Sequence, residues 1–218
     1  MLERLKWFGV AVGVFALIFA GQVGLLFPKW WGNNMLVMSV AFVYMLFIVS
    51  LLIWLGQKLN LIGKSFAPIR KHLPKIFLSY GCIWLTNLLG VLVLNMEGAA
   101  TTSNQGAIND LISRLPLPLT FVMIVLLAPI GEELLCRGVI PRLLFKDYEI
   151  FGYIAGAAFF AFLHHPTNVG SWLIYGGMSA VITTLAYKTK SLETSMGLHF
   201  MINGISFLLM VLLSPLLH

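Results

Sequence analysis

The sequence predicts an all-α fold, a polytopic transmembrane helix bundle of about seven spans, and three observations support this prediction. Hydrophobic residues make up 59% of the 218 positions and charged residues only 10%, whereas water-soluble domains carry roughly 25% charged residues. Several apolar runs are nearly free of charge, and a helix needs about 20 such residues to cross a bilayer. The basic residues lie mostly between these runs. The composition therefore excludes a water-soluble domain.

The apolar runs follow one another without an internal repeat or a low-complexity tract. We place the spans at residues 7–27, 35–55, 76–95, 117–140, 150–164, 172–187 and 194–213. The first run is longer than the core of a signal peptide and is followed by further spans, so we interpret it as a span. The fifth and sixth runs are shorter than a bilayer requires, which indicates shielding inside the bundle or partial re-entry. We expect a single integral membrane domain over 1–218, with N-terminal scaffold helices in 1–95 and catalytic core helices in 117–213.

The distribution of basic residues predicts the orientation, because cytoplasmic loops collect Lys and Arg. If seven spans alternate from a cytoplasmic N-terminus, only Lys29 and Arg114 lie outside. The predicted cytoplasmic residues are Arg4, Lys6, Lys58, Lys64, Arg70, Lys71, Lys75, Arg137, Arg142, Lys146, Lys188 and Lys190. We therefore expect a protein of the cell (plasma) membrane with its C-terminus outside. This topology accounts for the formal charge of +6. We therefore expect the lipid bilayer as a partner and no binding of nucleic acid.

The two cysteines, Cys82 and Cys136, both fall inside apolar runs and lack the spacing of metal ligands. This pattern argues against a disulfide framework or a zinc knuckle. A buried free cysteine behaves as a small hydrophobic residue, so we predict that both contribute to packing.

Ionisable side chains occur in only part of the predicted membrane region. Each costs from about 2.5 to more than 10 kcal/mol inside a span, so such groups usually face an internal cavity and mark function. The first three runs contain no Asp, Glu, Lys, Arg or His. The later runs contain Glu132, Glu133, Arg137, His164, His199 and the amide Asn203. This asymmetry separates a scaffold half from a chemical half.

Helical spacing predicts which of these residues lie on the same helix face. Glu133 and Arg137 are four positions apart, so they share a helix face and can pair. Glu132 lies about 100° around the helix from Glu133, which leaves its carboxylate available. In the last run, His199 and Asn203 are also four positions apart and form a polar stripe that we expect to face the cavity.

Small residues in the fifth run predict a close contact between helices. Gly152 and Gly156 form a packing face that continues through Phe160 to His164 at the end of the helix. The helix rise of about 1.5 Å per residue then fixes the depth of the histidine in the membrane.

The chemical residues of three spans are expected at similar depths in the membrane. Counted from the cytoplasmic helix ends, Glu132, His164 and His199 rise roughly 20, 21 and 14 Å. We therefore predict that Glu132, His164, His199 and Asn203 share one wet pocket and form the catalytic site.

These residues leave other chemistries open. The His-Glu-x-x-His pattern that zinc proteases carry on one helix is absent. We predict no cofactor, but Glu132, His164 and His199 are able to supply a three-ligand zinc site. Ser179 lies in a Gly-Met-Ser-Ala segment that faintly resembles a rhomboid-type nucleophile motif, with His199 as its base. That hypothesis explains neither the paired glutamates nor His164.

Three short motifs occur in order on separate helices. They are Glu-Glu-x-x-x-Arg at 132–137, Phe-x-x-x-His at 160–164 and His-x-x-x-Asn at 199–203. Together they resemble the CPBP family of glutamate-type, metalloprotease-like intramembrane endopeptidases. That family groups type II CAAX prenyl endopeptidases with bacteriocin-processing and self-immunity (Abi) proteins. The resemblance covers about residues 117–213, while the first three spans share only a general hydrophobic character.

The resemblance implies an intramembrane endopeptidase that acts on a peptide or membrane-protein substrate. In the mechanism that we hypothesise, Glu132, assisted by His164, holds and deprotonates a water molecule. His199 and Asn203 then donate hydrogen bonds to the developing oxyanion. The residues expected to support this site are Glu133, Arg137 and Phe160.

Two other functions compete with proteolysis. The first is a non-catalytic bacteriocin self-immunity or membrane scaffold protein that binds a partner. The second is a small transporter that couples flux to protonation of its carboxylates, which the lack of a repeat between the two halves disfavours.

Overall fold

The computed structural model describes residues 2–65 and 67–213, and these residues form helices and connections without a strand. The α-helices are α1 (Leu2–Val23), α2 (Phe27–Trp31), α3 (Met35–Lys58), α4 (Ala67–Lys71), α5 (Leu73–Met96), α6 (Ser103–Arg114), α7 (Leu117–Phe121), α8 (Ala128–Glu133), α9 (Glu149–Leu163), α10 (Val169–Thr189) and α11 (Leu192–Leu213). Two π-helical segments are π1 (Val122–Leu127) and π2 (Leu134–Leu144). Single 3₁₀ turns occupy Gly24–Leu26 and Lys146–Tyr148.

Six helical stretches among the described residues are long and apolar enough to cross a membrane. They are Leu2–Trp31, Met35–Lys58, Leu73–Met96, Leu117–Leu144, Val169–Thr189 and Leu192–Leu213. The protein is therefore an integral membrane protein, and the predicted all-α class is confirmed.

The fifth predicted span corresponds to α9, which has only 15 residues. It is the one of the seven predicted runs that is not among the six long stretches. The carboxylate of Glu149, at the start of α9, lies 2.7 Å from Lys190 at the end of α10. The start of α10 lies at the other end of the bundle, where the Val169 N–H donates to the Glu97 carboxylate beyond α5 (2.9 Å). At about 22 Å, α9 is shorter than the roughly 30 Å hydrocarbon layer. The helix and its following segment together join the two ends of the bundle.

Polar contacts gather several of the predicted cytoplasmic segments at one end of the bundle. The ammonium of Lys146 lies 2.8 Å from the Glu3 carboxylate, and the Gly63 N–H donates to the Glu193 carboxylate. Of these contacts, Glu3–Lys146 joins the N-terminal helix to the connection before α9, Gly63–Glu193 joins the connection after α3 to α11, and Glu149–Lys190 joins α9 to the residue after α10. They match the predicted segregation of basic residues, and the side of the membrane that this end faces stays a prediction.

The fourth span, Leu117–Leu144, is central and irregular. In its most apolar window 72% of the residues are buried, against 17–44% in the other five spans. The short helix α8 stands between π1 and π2, in which the backbone hydrogen bonds run from i to i+5. Pro129, which has no N–H to donate, stands in the first turn of α8. Segments of this kind recur at functional sites, and α8 carries both adjacent glutamates.

Glycines on α9 allow it to approach the fourth span closely. A Cβ atom at Gly152 would lie 2.6 Å from the Cα of Pro141, and one at Gly156 would lie 3.0 Å from the carbonyl carbon of Cys136 and closer still to its oxygen. The predicted small-residue packing face of α9 is therefore confirmed. This contact brings the C-terminal end of α9 against the fourth span.

The two cysteines have different surroundings. Cys136 is buried, as predicted, against α9. The packing prediction for Cys82 is wrong, because this residue lies on the exposed face of α5. Both thiols are free.

Candidate active site

A cavity of about 280 Å³ lies among the helices of the chemical half and reaches α5 of the scaffold half. Its wall includes three of the four predicted catalytic residues, which are Glu132 of α8, His164 at the end of α9 and Asn203 of α11. The fourth, His199 of α11, is 1% exposed and is not part of the wall. Three separate helices therefore deliver an acid, an imidazole and an amide to one cavity.

Glu132 is the glutamate that faces the cavity. Its side chain is 15% exposed, whereas that of Glu133 is completely buried. One carboxylate oxygen, Oε2, lies 3.8 Å from Nε2 of His199, and the carboxylate also acts electrostatically on the ring of His164. Within 2–65 and 67–213, no group donates a hydrogen bond to Glu132. Its oxygens are therefore available to a water molecule in the cavity.

Glu133 and Arg137 form the predicted ion pair, with 3.0 Å between Oε1 and Nη1. The guanidinium is completely buried, and its other nitrogens donate to Thr183 Oγ1 (3.1 Å) and Ser179 Oγ (2.9 Å) of α10. It also lies 4.2 Å from the centre of the Phe160 ring of α9. Charge-assisted hydrogen bonds of this kind are strong and directional. Arg137 therefore ties the fourth span to both α9 and α10.

The hydroxyl of Ser179 belongs to this structural network. It donates to the Ala157 carbonyl at 2.8 Å and accepts a hydrogen bond from Arg137, and the residue is 1% exposed. The ring nitrogens of His199, its hypothesised base, are instead directed at the two glutamates. This geometry favours a structural role for Ser179.

His199 bridges the two adjacent glutamates. Its Nδ1 lies 3.0 Å from Glu133 Oε1, and its Nε2 faces Glu132. We assign the hydrogen to Nδ1, because a carboxylate paired with Arg137 is an acceptor only. The sequence placed His199 on the cavity wall beside Asn203, but the structure places it behind Glu132.

His164 is fixed by one hydrogen bond and two aromatic rings. Its Nδ1 lies 2.9 Å from the Phe160 carbonyl, so this nitrogen donates and Nε2 is left as an acceptor. The imidazole lies between the Phe160 ring, with centroids 4.5 Å apart, and the Tyr175 ring, at 4.6 Å. The helix ends here because His165 adopts a left-handed conformation with φ of 47°.

Sequence reasoning missed Tyr175 and the part of α6 that covers it. The Tyr175 hydroxyl lies 2.7 Å from Thr102 Oγ1 and 3.4 Å from Asn104 Nδ2. Thr102 also caps α6, since its side chain accepts the Gln105 N–H. The available signal was a hydroxyl-bearing aromatic residue in the first turns of a predicted span. Through these contacts α6 closes one side of the cavity.

Asn203 connects the cavity to the irregular fourth span. Its Nδ2 donates to the carbonyl of Ile124 in π1 at 2.8 Å. The amide has a second hydrogen that this bond does not use. Asn87 of α5 lines the same cavity, and its Oδ1 is buried without a hydrogen-bond partner among the described residues. Both amides can therefore bind a polar ligand.

The histidine contacts also bear on the zinc alternative. In the described part of the chain, no three His, Cys, Asp or Glu side chains are arranged to hold one metal ion. The Nδ1 atoms of His164 and His199 are engaged elsewhere, which leaves only Nε2 of each ring for a ligand. The absence of a cofactor stays a prediction, and the zinc site stays the alternative that a chelator tests.

The chain is similar to one protein family and to one curated protein. Residues 114–205 match the family model described as type II CAAX prenyl endopeptidase Rce1-like, a stretch that includes all four predicted catalytic residues. The chain is also 33% identical over 141 residues to the UPF0177 protein YvdC of Lactococcus lactis subsp. lactis (strain IL1403), which covers 64% of this chain and 52% of that protein. The chain thus spans about half the length of this curated relative. No solved structure matches.

Proposed function

Because the chain carries a domain of the type II CAAX prenyl endopeptidase family, we propose that it is an intramembrane endopeptidase in which Glu132 activates the attacking water. One observation supports this proposal above the others. Two consecutive glutamates have opposite surroundings, since Glu132 lies on a cavity wall without a donor while Glu133 is buried and bonded to Arg137 and His199. Only the first has a carboxylate that can exchange protons with a water molecule.

In the proposed reaction, a water molecule lies between Glu132 and Nε2 of His164. The Glu132 carboxylate takes one proton from the water, while His164 accepts a hydrogen bond from the other. The water oxygen forms a bond with the carbonyl carbon of the substrate peptide. When the C–N bond breaks, the proton on Glu132 passes to the leaving nitrogen, and the products are a carboxylic acid and an amine.

The second hydrogen on Asn203 Nδ2 is available for the negative charge that develops on the carbonyl oxygen. Removing one such donor typically lowers turnover by about 100-fold to 1,000-fold. We also hypothesised that His199 donates to this oxygen. Its burial and its hydrogen bond to Glu133 favour a positioning role, in which the ring fixes α11 against α8 behind Glu132.

The cavity wall suggests a peptide as substrate. Side-chain amides of Gln22, Asn87, Asn104 and Gln105 line it together with apolar residues. Amides both donate and accept hydrogen bonds, as peptide groups do. We propose that the substrate is a peptide or a membrane-protein segment that enters from the bilayer or its surface.

Product identification by mass spectrometry tests this function. Wild type, Glu132→Gln and His164→Ala are expressed in one host, and the peptides in the membrane and medium fractions are compared. We expect a cleaved peptide that appears with wild type alone. Normal cleavage by Glu132→Gln would overturn the proposal.

The same experiment addresses the two alternatives. A chelator added to the wild-type sample is expected to leave cleavage unchanged, and loss of cleavage that zinc restores would favour the zinc site. A host protected equally by wild type and by both variants would favour the immunity or scaffold function.

A further inference from the structure

A second cavity, of about 430 Å³, lies between α5 and α10 and shares no lining residue with the candidate active site. Its wall is formed by Lys75, Leu78, Ser79, Cys82, Ala180, Val181, Thr184, Leu185 and Lys188. We call it the α5–α10 groove. Neither the proposed proteolysis nor the family motifs involve these residues.

The groove opens toward the region that lipid occupies. Both helices are candidate membrane spans, and Leu78 at its edge is 71% exposed. Small side chains form the depression on α10, where the Thr184 hydroxyl donates to the Ala180 carbonyl at 2.8 Å within the helix. This part of the wall therefore offers an apolar surface, which suits a hydrocarbon chain.

Two lysines lie together at one end of the groove. Lys75 is in the first turn of α5 and Lys188 is in the last turn of α10. The two helices are antiparallel neighbours, since a Cβ atom at Gly170 would lie 2.6 Å from the backbone nitrogen of Leu94 at the opposite end. Both ammonium groups therefore lie at the end where the groove leaves the hydrocarbon layer.

These two lysines also lack an acidic partner within the described ranges. Lys146 and Lys190, at the same end of the bundle, lie 2.8 and 2.7 Å from carboxylates. Neither Lys75 nor Lys188 has a carboxylate within 4.0 Å among residues 2–65 and 67–213. Two positive charges without an acidic partner therefore lie at one end of the α5–α10 groove.

We propose that the α5–α10 groove binds one anionic phospholipid of the bilayer. Its phosphate lies between Lys75 and Lys188, and one acyl chain follows the apolar wall past Cys82. Basic pockets between transmembrane helices recognise anionic head groups in this way. A zwitterionic lipid binds more weakly, because its own ammonium or choline group opposes the lysines.

Lipid titration of the purified full chain tests the charge requirement. Native mass spectrometry compares phosphatidylglycerol with phosphatidylcholine of identical acyl chains. We expect wild type to retain phosphatidylglycerol more tightly, and Lys75→Gln/Lys188→Gln to lose about 30-fold in affinity, or about fivefold for each lysine. The matched control is Lys58→Gln/Lys64→Gln, which removes the same charge at the same end outside the groove and should retain the lipid preference.

Alkylation of Cys82 tests the position of the lipid without any substitution. This thiol lines the groove and is exposed, whereas the only other thiol, Cys136, is buried. Phosphatidylglycerol in detergent micelles should slow the reaction of Cys82 with N-ethylmaleimide, and phosphatidylcholine should slow it less. Equal protection by the two lipids, or equal loss of affinity in the two double variants, would overturn the proposal.

Discussion

Nδ1 of His199 lies 3.0 Å from Oε1 of Glu133, so the histidine of the His-x-x-x-Asn motif is bound to a buried carboxylate instead of facing the cavity. The same oxygen also accepts the hydrogen bond from Arg137. Glu133 therefore joins α8 to α11, while Arg137 joins the fourth span to α9 and α10. The three motifs meet through this network, and the reactive groups lie on its surface.

Removal of Arg137 should destabilise the protein. Arg137→Met leaves the Glu133 carboxylate buried without its counter-ion, which typically costs about 3–5 kcal/mol. The free energy of unfolding, measured with denaturant in detergent micelles, is expected to fall by that amount. The matched control is Arg114→Met, because Arg114 pairs with Asp110 at 2.7 Å but is 75% exposed. Exposed pairs contribute about 0–1 kcal/mol, and equal losses in the two variants would contradict the structural role of Arg137.

Asn203 should affect turnover more than substrate binding. In Asn203→Ala, kcat is expected to fall by about 100-fold to 1,000-fold with little change in KM, because the amide acts on charge that develops in the transition state. Ser206→Ala provides the control, since Ser206 lines the same cavity on the same helix. A rise in KM at constant kcat would instead assign Asn203 to substrate binding.

The ring of Tyr175 should contribute more to the cleavage rate than its hydroxyl does. Tyr175→Phe keeps the stacking on His164 and loses only the contacts to Thr102 and Asn104, so the cleavage rate is expected to stay within about threefold of wild type. Tyr175→Leu also removes the aromatic contact, worth about 0.5–1.5 kcal/mol, and should cleave about two- to tenfold more slowly than Tyr175→Phe. Equal rates in the two variants would show that the stacking does not position His164.

Gly156 should tolerate no side chain. In Gly156→Ala, the new Cβ meets the backbone carbonyl of Cys136, and forcing such a contact typically costs about 1–3 kcal/mol. Gly176→Ala is the matched control, because a Cβ there meets nothing within 4 Å. Alanine in a helix is favoured over glycine by about 0.5–1 kcal/mol, so this control is expected to be neutral or stabilising. A neutral Gly156→Ala would contradict the close approach of α9 to the fourth span.

The features that follow from local periodicity were predictable from the sequence. The pair of Glu133 and Arg137 follows from their spacing of four on one helix, which persists although π2 begins between them. The glycine face of α9 follows from the same kind of spacing, and the end of that helix follows from Pro166, two residues after His164. The spans follow from hydropathy, because the bilayer imposes a minimum length.

Features that depend on packing between helices were not predictable in this way. Spacing places His199 and Asn203 on one stripe, but it does not determine that Glu133 binds the first and Ile124 the second. The stacking of Tyr175 on His164 requires the relative placement of α9 and α10. The π-helical segments π1 and π2 beside α8 arise where the backbone adjusts to the packing of neighbouring helices. The spacing of apolar residues along the sequence does not predict them.

The most direct test of the account compares Glu132→Gln with wild type, with cleavage and thermal unfolding measured in the same detergent preparations. We predict a fall in the cleavage rate of at least about 100-fold, with an unfolding temperature equal to that of wild type because Glu132 makes no hydrogen bond with the described residues. Glu133→Gln, the neighbouring control, should instead lower the unfolding temperature. Cleavage by folded Glu132→Gln at the wild-type rate would contradict the assignment of Glu132 as the catalytic base.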